Sequence, residues 1–197
     1  MSGKSRGSAF EREVAELFSL WWTDGERDDI FYRSHSSGGR FTARKKGGKD
    51  TALQGGDITC TDPTGEPLVR AWNMELKTGY GTKTKSGLIR WDILDFIDSR
   101  QRTPILMNMW EQCKRDADLT GREPVLIFRR NNRLPCIMFT HKYYSKLIDY
   151  LGDSPPSITI EFFSSIELAV CSYKIISLDR FFVWAANLRS LMETNLI

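Results

Sequence analysis

The seven residues Trp72-Asn73-Met74-Glu75-Leu76-Lys77-Thr78 constrain this chain more than any other stretch. Polarity alternates along them with a period of two, which is the repeat of a β-strand and not of a helix. Trp72, Met74 and Leu76 fall on one face, and Asn73, Glu75 and Lys77 on the other. Glu75 follows Asp57, in Gly56-Asp57-Ile58, by eighteen residues. Two acids and a lysine brought together at strand ends can hold a hard divalent cation and position a water, which is what hydrolysis of a phosphodiester requires.

Composition sets the bounds. At 197 residues with 41 % hydrophobic content, the chain is expected to form one soluble domain spanning 1–197, its core about 8–130 and a C-terminal elaboration about 131–197. No apolar stretch approaches a membrane span, and the polar N-terminus lacks the centre of a secretion signal, so the expected location is the cytoplasm. Cys60, Cys113, Cys136 and Cys171 form no Cys-x-x-Cys pair, which reads as free thiols and argues against a zinc site.

Net charge is only +3, but it is unevenly spread. Between Arg33 and Lys49 there are six basic residues (Arg33, Arg40, Arg44, Lys45, Lys46 and Lys49) and no acid. Lys77, Lys83, Lys85 and Arg90 follow, again with no acid between them. Basic runs are often merely solvated loops. These two flank the acidic pair, and that position favours a phosphate-rich partner, DNA. Tyr80, in a glycine-rich basic loop, is the best candidate for stacking on a base. Trp91, Trp110 and Trp184 fall at apolar helix positions and read as core.

Along the chain, Phe10, Val14, Leu17, Phe18 and Trp21 predict a helix from about Ala9 to Trp22, with Ser8 as N-cap. A strand at Ile30–Arg33 precedes an aperiodic stretch, 34–56, of a length that is usually functional or disordered. Ile58–Thr61 and Leu68–Thr78 read as a hairpin around Asp62-Pro63-Thr64-Gly65. The stretch 78–86 reads as mobile. Helices are expected near 91–99 and 104–119, the second closed by Gly121. Strands at 125–128, 134–140, 158–163 and 169–176 surround a helix at 142–151. A single amphipathic helix, 178–193, closes the chain.

The order Arg6-Gly7-Ser8-Ala9-Phe10-Glu11-Arg12, then Arg33 with Ser37-Gly38, then Asp57-Ile58, then Glu75-Leu76-Lys77, resembles the archaeal Holliday-junction resolvases of the PD-(D/E)xK nuclease superfamily. The resemblance covers roughly the first 80 residues. It implies an α/β fold, a restriction-endonuclease-like mixed β-sheet flanked by helices. It also implies that Glu11, Asp57 and Glu75 hold Mg²⁺ or Mn²⁺, with the Leu76 carbonyl completing the shell. Lys77 would orient the attacking water, and Arg33 and Ser37 would contact the scissile region. Gln112 would support the site from the next helix, whereas Lys114 reads as solvated. Family members commonly work as two-fold homodimers. Gly56 stands where the superfamily's name has proline.

The expected activity is therefore metal-dependent DNA endonuclease, with Holliday junctions or other branched DNA as the first substrate to consider. The alternatives are a restriction-, repair- or homing-type nuclease on duplex DNA, a nucleic-acid-binding module without catalysis, and a basic scaffold for acidic protein. The last two leave the acid–lysine arrangement without a purpose.

Overall fold

In the computed structural model of the protein, which describes residues 3–34, 55–79, 81–84, 87–98, 103–164 and 167–194 (backbone alone at 3–6, 81–84 and 87–90), the alternating run is a strand along its whole length. In chain order the elements are α1 (Gly3–Trp22), β1 (Phe31–Arg33), β2 (Ile58–Cys60), a 3₁₀ turn (Pro63–Gly65), α2 (Glu66–Ala71), β3 (Trp72–Thr78), β4 (Gly81–Thr84) and β5 (Gly87–Arg90). They continue with α3 (Asp95–Asp98), α4 (Ile105–Thr120), β6 (Glu123–Arg129), β7 (Cys136–Thr140), α5 (His141–Leu151), β8 (Ile158–Ser164), β9 (Ala169–Ser177), α6 (Leu178–Trp184) and α7 (Leu188–Glu193).

A five-stranded mixed sheet in the order β3-β6-β7-β9-β8 organises these elements, as expected for a restriction-endonuclease-like fold. β3 and β6 run parallel, joined by a crossover that includes α4, and the remaining pairs are antiparallel. Three of the five strands come from beyond residue 131, so the C-terminal third belongs to the same sheet as β3.

Both faces of the sheet are covered. Met74, Leu76, Val125, Ile127, Ile137, Phe139 and Ile176 meet Phe10, Val14, Phe18, Phe181 and Leu188 in one core. Leu126, Phe128, Met138, Tyr173 and Ile175 meet Leu106, Met107, Trp110 and Cys113 of α4 in the other. The unbroken Val125–Phe128 run is what a strand buried on both faces demands. Trp91 and Trp110 are core residues as expected, while Trp184 is partly buried. All four cysteines are free, and only Cys113 is fully buried. Among the described residues no helix is long and apolar enough to cross a membrane.

Several sequence expectations give way. The predicted hairpin between Ile58–Thr61 and Leu68–Thr78 does not form: Glu66–Ala71 is a helix, and β2 pairs instead with β1. Pro67 in the first turn, the Glu66–Arg70 pair at 2.8 Å and the burial of both Leu68 and Val69 favour one helical turn over a strand that would split those two across its faces. α1 begins at Gly3, so Ser8 lies inside it and is not its cap. Within and just after 78–86, β4 pairs antiparallel with β5, Thr84 opposite Gly87 and Thr82 opposite Ile89. The helix expected at 91–99 shrinks to Asp95–Asp98. The closing helix breaks into α6 and α7, a bend that seats both Ala185 and Leu188 in the core.

Candidate active site

Parallel pairing aligns the carboxyl ends of β3 and β6, with Lys77 beside Phe128 and Thr78 beside Arg129. Asn73, Glu75 and Lys77 all point to the α4 side, and all are buried, as is Asp57: Glu75 is 5 % exposed, Asp57 6 % and Lys77 9 %. Burying this many polar groups is costly unless they satisfy one another.

Asp57 reaches them along the free edge of β3. Its backbone N–H donates to the Met74 carbonyl at 2.7 Å, and its Oδ2 accepts from the Leu76 N–H at 2.8 Å. Gly56 makes that approach possible. It has φ of +78°, and a Cβ there would lie 2.5 Å from the Met74 carbonyl oxygen. On the other side, the Asp57 carbonyl accepts from the Ser34 N–H at 2.8 Å, tying the segment to the end of β1.

Glu75 is the electrostatic centre. Its Oε1 accepts from Lys77 Nζ, and from Gln112 Nε2 of α4 at 2.8 Å. Burial, then the nearby charge of Asp57, push its carboxyl up to about 7, although Lys77 pulls the other way. Asp116, half-buried on α4, is also raised by burial. Cys113 beside them has its thiol pushed well up by burial and then by Glu75, which leaves it unreactive. One strand position deeper, the carboxamide of Asn73 is fully buried and makes no side-chain hydrogen bond.

The sequence-named residues thus divide. Asp57, Glu75, Lys77, Leu76 and Gln112 come together. Glu11 does not join their carboxylates: it is half-buried on α1 and ion-paired with Nε of Arg33 from β1. Among the described residues no three Asp, Glu, His or Cys side chains gather as a metal-binding cluster. Lys114 is ion-paired with Asp118 one turn further along α4, its side chain 21 % exposed. Ser37, Arg40, Arg44, Lys45, Lys46, Lys49, Tyr80 and Lys85 lie outside the described residues, and Lys83 is described only as backbone in β4.

Two arginines that the sequence reading passes over stand at the same end of the sheet. Arg129 closes β6, bonded to Glu13 at 2.6 and 2.8 Å, its guanidinium 4.5 Å from the centre of the Phe10 ring. Arg130 follows it, bonded to Asp92 at 2.6 Å and 5.8 Å from the Trp91 ring centre. The signal that could have found them is a basic pair directly after a buried strand.

A buried acid pair, a lysine two residues after the second acid and a mixed sheet with β3 parallel to β6 are the parts of a PD-(D/E)xK nuclease. The family described as "Phage putative PDDEXK endonuclease" matches residues 2–183. The chain belongs to this family. As a PD-(D/E)xK protein it falls among nucleases, which hydrolyse nucleic acids and generally use divalent metal ions. No curated protein and no solved structure matches it significantly.

Proposed function

We propose that the protein is a divalent-metal-dependent endonuclease that hydrolyses DNA phosphodiester bonds at Asp57, Glu75 and Lys77. The observation that carries this reading is the convergence, in a buried site, of two carboxylates from different segments with one lysine, the second acid raised to about 7. A buried carboxyl whose proton affinity is raised by burial and then by a second acid favours a cation between the two.

The donors fit a hard cation such as Mg²⁺ or Mn²⁺. Asp57 and Glu75 offer carboxylate oxygens and Leu76 a backbone carbonyl at the same strand end. Oε1 of Glu75 already takes two donors, so Oε2 is the oxygen for the ion. Glu11 would join them only by giving up Arg33. A bound ion would polarise the phosphate and lower the pKa of a water.

The protein's own groups would do the rest. Nζ of Lys77, fixed by Glu75, would orient the attacking water and stabilise the negative charge that builds on the phosphate oxygens. Gln112 would hold the Glu75 carboxylate in place. Arg33 would contact the phosphate, and the basic stretch through Arg40, Arg44, Lys45, Lys46 and Lys49 would bind flanking backbone, reading shape more than sequence.

Branched DNA is the first substrate to try, and a two-fold dimer is the assembly that would present two sites to a junction. Labelled four-way junction, nicked, flapped and linear DNA, each incubated with Mg²⁺ or with EDTA, test the reading. Metal-dependent cutting concentrated on the junction supports it in full. Equal cutting of linear duplex places the protein with restriction-, repair- or homing-type nucleases. Cutting that survives EDTA, or none on any DNA, contradicts it.

A further inference from the structure

We infer that Arg129 and Arg130 form a phosphate clamp that straddles the carboxyl end of β6 and grips the DNA backbone beside the cleaved bond; this rests on the nuclease reading above. The register carries the placement. Lys77 pairs with Phe128, so Arg129 is the next residue along the neighbouring strand. Strand spacing and rise put the Lys77 and Arg129 Cα atoms about 6 Å apart.

The two side chains take opposite faces. Arg129 lies on the α1 side against Phe10 and Glu13, the side that also carries the Glu11–Arg33 pair. Arg130 lies against Trp91 and Asp92. Each guanidinium therefore sits near an aromatic ring and is steadied by one carboxylate. The Gly79 N–H donates to the Arg129 carbonyl at 3.0 Å, which ties the pair to the end of β3.

A structural role alone is the competing account, and the surroundings weigh against it. Glu13 is 45 % exposed and Asp92 51 %, and pairs this exposed contribute little to stability. What they do is hold a planar cation at a fixed place, Arg129 28 % exposed and Arg130 37 %. A phosphate can replace the carboxylate, because both accept the guanidinium's paired donors.

The test is DNA binding by fluorescence anisotropy in EDTA over a range of salt, which leaves cleavage out. Arg129→Gln and Arg130→Gln should each weaken binding several-fold and flatten the salt dependence by about one unit of slope. Glu13→Gln and Asp92→Asn, which release the arginines, should tighten it. Lys142→Gln and Lys146→Gln on α5 serve as distant charge controls. Wild-type binding with all four site variants matching the controls would overturn the clamp and leave the nuclease reading standing. A wild type that binds no DNA would overturn both. Should Arg129→Gln melt early, Arg129→Lys keeps a cation beside Phe10 but loses the paired donors: weakened binding with a normal melt supports the clamp, and wild-type affinity overturns it at Arg129.

Discussion

Glu75 shows most plainly how a functional site costs a fold stability. Its carboxyl is raised from 4.5 to about 7, chiefly by burial and then by Asp57. Between those two values the folded protein keeps a proton that the unfolded chain gives up, so stability at this group falls as pH rises from about 4.5 to about 7. The expected loss above that window is on the order of 3 kcal/mol. Glu75→Gln should therefore melt higher than wild type at pH 8 without metal, while losing cleavage. A melting temperature equal to or below the wild type's at pH 8 would show that the carboxylate is not under strain. Gln112→Leu removes one of the two donors to Oε1. It should cut cleavage by about tenfold or more, the usual effect of losing a group that orients a ligand, with DNA affinity unchanged. An unaltered single-turnover rate would return Gln112 to the solvated helix face. Asp57, Glu75 and Lys77 were legible in the sequence because their spacing and the strand's alternation place them. Arg129 and Arg130 were not, because only the parallel register of β6 with β3 brings them to the same end of the sheet.

At the scale of elements, the period-two run of β3 and the continuous apolar run of β6 declared themselves, because burial on one face and on two faces leave different patterns. Gly121 closes α4 in the left-handed conformation, as its position predicts. Helix α2 did not declare itself. Six residues carry no readable helical period, and their conformation is settled by burying Leu68 and Val69 together. The chain-ending bend between α6 and α7 is likewise a tertiary choice. The turn at Gly56 makes the sharpest prediction here. Gly56→Ala would drive a methyl into the β3 backbone and force a left-handed φ on an L side chain. It should destabilise by more than about 1 kcal/mol and displace Asp57, so cleavage should fall further than the melt alone explains. A variant that melts and cuts like wild type would mean that the Asp57 segment is not held against β3.

For the whole molecule, the sheet brings a buried acid–lysine site and the two arginines after β6 to one end. The basic stretch between Arg33 and Lys49 would, on the proposed function, add phosphate contacts to these. Replacing Arg44, Lys45 and Lys46 with alanine should weaken binding about equally across sequences and lower the salt slope by about one unit per lost phosphate contact. An unchanged slope would make the stretch a solvated loop. The central claim rests on Lys77. Sequence alone allowed it to be an ordinary surface lysine, but it is buried and fastened to Glu75. Lys77→Met keeps the stem's packing and removes the charge. The decisive measurement is single-turnover cleavage of DNA by Lys77→Met with saturating Mg²⁺, on protein whose fold a melt has verified. A drop on the order of a hundredfold or more, the scale for losing one preorganised donor, is the predicted result. Cleavage within a few-fold of wild type would contradict the account.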